Sequence, residues 1–222
     1  MCGRFTSTAL PEELMRKFGA TVVKNLRPRW NVAPGQQALV IFRNGLQNET
    51  GMAHWGLSPA PGEHSALINA RAETVQEKPT FRDAFLHRRC IVIASGWYEW
   101  SAPKTPWHVQ LRDGGVMSLA GLLLGKKEQQ RFVIITTNAD SGLADIHHRA
   151  PLVLASEVHD SWIGGNAATA ASLLNPAQAN WFNWYRVAPD IGKAGIDHPG
   201  LVTPLEGDTI LPTKPDQDDL FG

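Results

Sequence analysis

Cys90-Ile91-Val92-Ile93-Ala94-Ser95-Gly96-Trp97-Tyr98-Glu99-Trp100 is the stretch whose reading decides the fold class. Cys90–Ala94 is a β-branched run of strand length, without polar alternation, and reads as a buried strand. After Ser95-Gly96 the pattern turns aromatic. Along an extended chain successive side chains point to opposite faces. Glu99 then shares a face with Trp97 and opposes Tyr98 and Trp100. Further strands are predicted at about 106–111, 116–123 and 131–137. Upstream, Ala38–Arg43 and Met52–Leu57 read as a hairpin turning at Asn44-Gly45. Strand–helix alternation is weak and the strands are short. The prediction is an α+β single domain, a curved antiparallel β-sheet or open barrel with flanking short helices.

The helices are sparse. Leu10, Leu14 and Phe18 repeat at helical spacing, with Pro11-Glu12-Glu13 suited to a first turn and Gly19 to a stop. Phe81–Leu86 and the regions near 156–163 and 167–174 also read as helical, and Asp140–Ile146 as a short turn or helix. Arg29–Gly35 reads as a loop, and 181–188 as a last strand. One domain is expected over residues 1–205. A Pro- and Asp-rich acidic tail, expected to trail loosely, follows over 206–222.

Of 222 residues 43% are hydrophobic, enough for a real core, yet no apolar run approaches the ~20 residues of a membrane span. No signal-peptide pattern opens the chain. Cys2 and Cys90 are the only cysteines, which argues against a disulfide framework and for a reducing, cytoplasmic setting. The 21 basic and 21 acidic residues cancel, but unevenly. Residues 1–100 carry 12 and 8 of them, and arginines recur there at Arg4, Arg27, Arg29, Arg71, Arg82, Arg88 and Arg89. A local anion site is compatible with that asymmetry.

The chemistry starts at Met1-Cys2-Gly3-Arg4. If Met1 is lost and the terminus is exposed, Cys2 carries an α-amine and a thiol on adjacent carbons, a pair no internal cysteine offers. An α-amine has a pKa near ~8 and a thiol near ~8.5, so both are partly in nucleophilic form at neutral pH. Such an aminothiol condenses with an aldehyde to an imine and then closes a thiazolidine ring. Alternatively the thiol attacks an acyl carbon with its own amine as base. Glu99, among three aromatics, is expected to be partly desolvated and raised in pKa, towards acid–base use near neutrality. His147, in a loop ahead of Pro151, is the other proton-transfer candidate. Asn69, between Ile68 and Ala70, is a buried amide that needs partners. Zinc is not expected: two distant cysteines and the adjacent His147-His148 give no usual ligand spacing. Phosphate-loop and dinucleotide motifs are also missing, so no cofactor is expected.

Taken in order, Met1-Cys2-Gly3-Arg4-Phe5, Asn31-Val32-Ala33-Pro34, Trp55-Gly56-Leu57, Asn69–Thr74, Phe81-Arg82, Arg88-Arg89-Cys90, Gly96–Trp100 and His147–Pro151 resemble the SOS response-associated peptidase (SRAP) family. The resemblance implies a DNA-damage protein that binds abasic sites in single-stranded DNA and crosslinks to them. It implies Cys2 as nucleophile once Met1 is removed, by self-cleavage or by an aminopeptidase. It further implies Asn69 holding the terminus, Glu99 managing protons at the amine, and His147 assisting opening of the deoxyribose. Arg4, Arg71 and Arg149 would hold phosphates, and Asn31 and Pro34 would line the DNA path. A monomer acting in the cytoplasm, on the nucleoid during damage if bacterial, is the expected setting. Two positions depart from the family pattern: Ala60–His64, where further Trp or Lys is usual, and Ala150, where Met is common. Rival readings are an N-terminal-nucleophile glutaminase, a non-covalent reader of damaged DNA, and a protease acting on other proteins.

Overall fold

The computed structural model describes residues 2–19, 26–58, 66–126, 129–193, 195–208 and 211–212. Met1, the Ala60–His64 departure and most of the acidic tail lie outside these residues. The chain forms β1 (Arg4–Ser7), α1 (Pro11–Phe18), β2 (Arg29–Val32), β3 (Gln37–Asn44), β4 (Gln47–Trp55) and β5 (Asn69–Arg71). Then come α2 (Pro79–His87), β6 (Arg89–Ala94), β7 (Gly96–Ser101), β8 (Thr105–Leu111), β9 (Met117–Leu124) and β10 (Arg131–Asn138). The last elements are α3 (Ser141–Ala144), β11 (Arg149–Pro151), α4 (His159–Gly164), α5 (Ala167–Ser172), β12 (Phe182–Arg186) and β13 (Leu211–Pro212).

The strands make two sheets. One has the order β13-β12-β8-β7-β1-β2. In the other, β4 pairs β3, β3 pairs β6, β6 pairs β9, β9 pairs β10, and β10 returns to β4. The expected open barrel is therefore closed. Closure needs one exception to the antiparallel rule, since β10 runs parallel to β4 and β5. Sequence patterning does not reveal that pairing, because β5 to β9 lie between β4 and β10 in the chain.

Alternation along the barrel strands divides the core. Leu39, Ile41, Ile91 and Val133 face outward, under Leu14 and Phe18 of α1, Phe81 and Phe85 of α2 and Trp162 of α4. Val40, Val92, Phe132 and Ile134 face the opposite way and meet Phe5 and Trp97 of the first sheet. Leu10 does not join the α1 stripe. It is the N-cap, more than half exposed, and its N–H donates to Glu13 Oε2 at 2.8 Å. Gly19 ends the helix in the left-handed region, as expected.

Other expectations shift by a residue or an element. The β3–β4 turn is Gly45-Leu46, with Asn44 the last strand residue. Arg29–Val32 is a strand rather than a loop, because β1 supplies an antiparallel partner, Phe5 opposite Val32. The first part of the acidic tail is held: Asp208 pairs with Arg186, and Leu211–Pro212 add a strand to β12. The close approach of β7 and β8 requires Gly96. A Cβ there would lie 2.5 Å from His108 Nε2 and 2.6 Å from the Val109 carbonyl. Gly96→Ala should destabilise the fold by about 2–3 kcal/mol through overpacking, measured by denaturant unfolding.

Candidate active site at the amino terminus

β1 is an interior strand, paired with β2 on one side and β7 on the other. The β1–β7 register sets Arg4 opposite Tyr98 and Phe5 opposite Trp97. Running one residue back along β1 brings the start of the chain alongside Glu99. The side chain of Cys2 is packed with Phe5, Trp55 and Trp97 and is 0% exposed. Sequence anticipated an exposed terminus, and the Cys2 side chain is instead buried. Its carbonyl accepts a hydrogen bond from Asn69 Nδ2 at 2.9 Å, and its Sγ is 4.0 Å from the Arg4 carbonyl. Burial, and then the negative charge of Glu99, push the Cys2 thiol well above its ordinary pKa. In this state the sulfur is a protonated thiol.

Alternation along β7 does what the sequence predicts. Trp97 faces the core shared with Cys2, whereas Tyr98 turns to a separate cluster with Tyr185, Val187 and Leu201. Glu99, on the Trp97 side, is 4% exposed. Burial pushes its carboxyl up to about 7, opposed by the positive charge of the amino terminus. A carboxyl poised there can both take and return a proton near neutrality.

Asn69 opens β5, which lies parallel to β10 with Asn69 opposite Ile134. Its neighbour Ile68 is fixed from below by Trp55, whose Nε1 donates to the Ile68 carbonyl at 3.0 Å. The Asn69 side chain is half-buried, and its Oδ1 has no hydrogen-bond partner among the described residues. His147 is held from the other edge of β10. Its Nδ1 accepts the Arg149 backbone N–H at 3.0 Å, and its ring stacks on His148 at 4.4 Å. Partial burial, and then the positive amino terminus, push His147 below its ordinary pKa. The same Nδ1 lies 3.2 Å from the Arg149 carbonyl, so the backbone of Arg149 can meet either tautomer of the ring. The amino terminus acts electrostatically on both Glu99 and His147.

The expected DNA contacts divide. Arg71 and Pro34 are exposed, and Arg4 is half-buried. The Arg4 guanidinium donates to Asn31 Oδ1 at 2.8 Å and to the Gly192 carbonyl at 3.3 Å. Asn31 is 3% exposed and its Nδ2 donates to the Ile196 carbonyl at 2.8 Å. Its geometry is that of a tether for Arg4 and the 191–196 segment. Arg149 is 6% exposed, and its guanidinium is engaged by Glu73, Asn138 and Thr136. Sequence reasoning assigned no role to Glu73 or Trp55, although both lie within the quoted motifs. Trp55 packs between Phe5 at 5.0 Å and Phe132 at 6.2 Å, which buttresses the floor under Cys2.

A buried cysteine at position 2, its carbonyl anchored by an amide, and a buried carboxyl of elevated pKa make up the candidate site at the start of the chain. Comparison with known proteins narrows its reading. The chain belongs to the SOS response associated peptidase (SRAP) family, whose model matches residues 1–194. It is 33% identical over 207 residues to the abasic site processing protein YoaM of Bacillus subtilis, covering 85% of this chain and 91% of that protein. It is 30% identical over 222 residues to the abasic site processing protein YedK of Escherichia coli, covering 92% and 100%. A crystal structure of a protein from Bacteroides thetaiotaomicron has the same fold, with TM-score 0.78 and 26% identity over 91% of this chain and 99% of that one.

Proposed function

We propose that this protein processes abasic sites in single-stranded DNA by bonding to them through Cys2 after Met1 is removed. The observation that carries the reading is the gathering of Cys2, Asn69, Glu99 and His147 from four separate strands and loops around the chain start. The relatives' names point the same way. A ring-opened abasic sugar exposes an aldehyde. The Cys2 amine adds to its carbon, and the carbinolamine loses water to give an imine. The thiol then adds to the imine carbon while its proton passes to nitrogen, closing the thiazolidine. Glu99 relays protons to and from the amine. His147 assists opening of the closed sugar, which is the abundant form. The imine, if it lingers, is also the species from which the 3′ phosphate is lost by β-elimination, a lyase side activity.

Met1 removal frees the α-amine that the chemistry needs, whether by self-cleavage or by an aminopeptidase. Intact-protein mass spectrometry tests this reading at its first step. The expected mass is short by one methionine residue, and rises by the mass of the oligonucleotide less one water after incubation with abasic single-stranded DNA. A chain that retains Met1 quantitatively and gains no mass would overturn it.

Phosphate contacts position a strand without reading bases, as a lesion lacking a base requires. Arg71, exposed at the end of β5, is suited to such a contact. Arg149 has its charge already matched by Glu73. In a salt titration of single-strand binding, Arg71→Ala should flatten the slope by about 0.7. Arg149→Ala should leave the slope unchanged and instead destabilise the fold by roughly 2–3 kcal/mol, less than the ~3–5 of a fully buried pair because Glu73 is half exposed.

A further inference from the structure

We infer that Glu73 is a positioning residue for His147, acting through Arg149 across strand β10; this rests on the crosslinking function proposed above. Strand β10 has a different neighbour on each edge at the level of the site. On one edge lies β5, with Thr136 opposite Arg71 and Asn69 two residues earlier. On the other lies β11, with Asn138 opposite Arg149 and His147 two residues earlier. The amide that holds Cys2 is therefore carried by β5 and the imidazole of the site by the loop entering β11, and these two strands flank β10 on opposite edges.

The Glu73–Arg149 contact joins them. Glu73 lies in the turn just after β5, which is pinned to β10 by the Ala72 N–H donating to the Thr136 carbonyl at 2.9 Å. From there its carboxylate takes the Arg149 guanidinium with both oxygens, at 2.6 and 3.0 Å. The same guanidinium donates to Asn138 Oδ1 at 2.8 Å and to the Thr136 carbonyl at 2.5 Å, both on the strand it crosses. Paired bonds in a planar fork fix orientation as well as distance. Arg149 is thus locked at its side chain, and its backbone N–H is the group that holds His147 Nδ1. The Arg149 carbonyl lies 3.2 Å from the same Nδ1, so the placement of this one residue's backbone decides which ring nitrogen carries the proton. Glu73 is 46% exposed at its side chain, so packing does not confine it there. A half-exposed carboxylate next to a strand-binding surface repels phosphate unless its charge is matched, and Arg149 matches it.

The test is a double-mutant cycle on single-turnover crosslinking to an abasic single-stranded oligonucleotide, with a spectroscopic arm. Glu73→Ala should slow crosslinking roughly 10-fold, a fraction of the ~10²-fold that an ångström of misplacement can cost. Glu73→Gln, which keeps an acceptor for Arg149, should recover most of the rate. Glu73→Ala combined with His147→Ala should be no slower than His147→Ala alone, because the two act as one unit. In the nitrogen-15 spectrum of the imidazoles, His147 should show a single tautomer in the wild type and in Glu73→Gln, and a tautomer mixture in Glu73→Ala. Multiplicative losses in the double variant, or an unchanged His147 spectrum in Glu73→Ala, would overturn the inference. If Glu73→Ala does not fold, Glu73→Gln decides: a rate loss as large as that of His147→Ala would overturn it. Absence of any adduct in the wild type would refute the proposed function instead, and the spectra would still judge the positioning role.

Discussion

Cys2→Ala should leave no heat-resistant adduct with an abasic single-stranded oligonucleotide, where the wild type gives one on a denaturing gel. The expected effect is complete because the lost carbon–sulfur bond is the one that makes the adduct durable. An alanine terminus still presents an α-amine and can form the imine, but an imine is hydrolysed in water and on heating. Only the sulfur closes the ring that traps it. The variant should keep its fold, since Ala loses one buried sulfur from a site floored by Phe5, Trp55 and Trp97. It should also keep non-covalent affinity for single strands, because Arg71 is untouched. A heat-stable adduct in Cys2→Ala would mean that another nucleophile does the chemistry. Loss of DNA binding together with the adduct would mean that Cys2 has a structural role instead.

Glu99→Gln should move activity and stability in opposite directions. With the acid–base group gone, crosslinking should slow by about 10²-fold or more, within the ~10²–10⁴-fold range of general acid–base catalysis. The wild-type rate should climb as pH rises through about 7, where the carboxylate forms, and the variant should lose that step. For stability the sign follows from the raised pKa. Below pH 4.5 the carboxyl is protonated both folded and unfolded, and contributes nothing. Between 4.5 and about 7 the unfolded chain ionises first, so the native state loses stability as pH rises. Above that window the full cost of burying the charge is present, on the order of 3 kcal/mol at ~1.36 per pK unit. Gln carries no charge to bury. Denaturant unfolding should therefore find Glu99→Gln more stable than the wild type at pH 8 and indistinguishable from it near pH 4. Equal stability at pH 8 would show that Glu99 is not held at a cost, and a pH-independent rate would remove its proton-transfer role.

The same trade appears in the sulfur. A thiol that burial holds protonated is a poor nucleophile, so the proposed chemistry needs Cys2 to become more exposed than it is here. No helix among the described residues is long and apolar enough to cross a membrane.

Much of this was legible in the order of residues. Period-two alternation in Gly96–Trp100 was enough to put Glu99 on the Trp97 face, because strand geometry leaves a side chain only two directions. Pro11, the two glutamates and Gly19 bounded α1 for equally local reasons. Cys2 stood out as a candidate because only a terminal residue has an amine and a thiol to offer together, and its role came from the resemblance of the ordered motifs. What stayed out of reach depends on partners distant in sequence. β2 looked like a loop until β1 paired with it, and the barrel closes through a parallel β4–β10 contact that no local pattern encodes. Asn31 and Arg149 carry the residue types of a DNA surface, and only the fold shows that they also bond to Ile191, Ile196, Glu73, Asn138 and Thr136. By itself the sequence determined which groups can react and which strands exist, because covalent identity and side-chain alternation are local. Only the tertiary structure decided that Cys2 is buried and that Arg149 is bonded to Glu73, Asn138 and Thr136, because burial and hydrogen-bond satisfaction are settled by whichever distant segments arrive to pack against a residue.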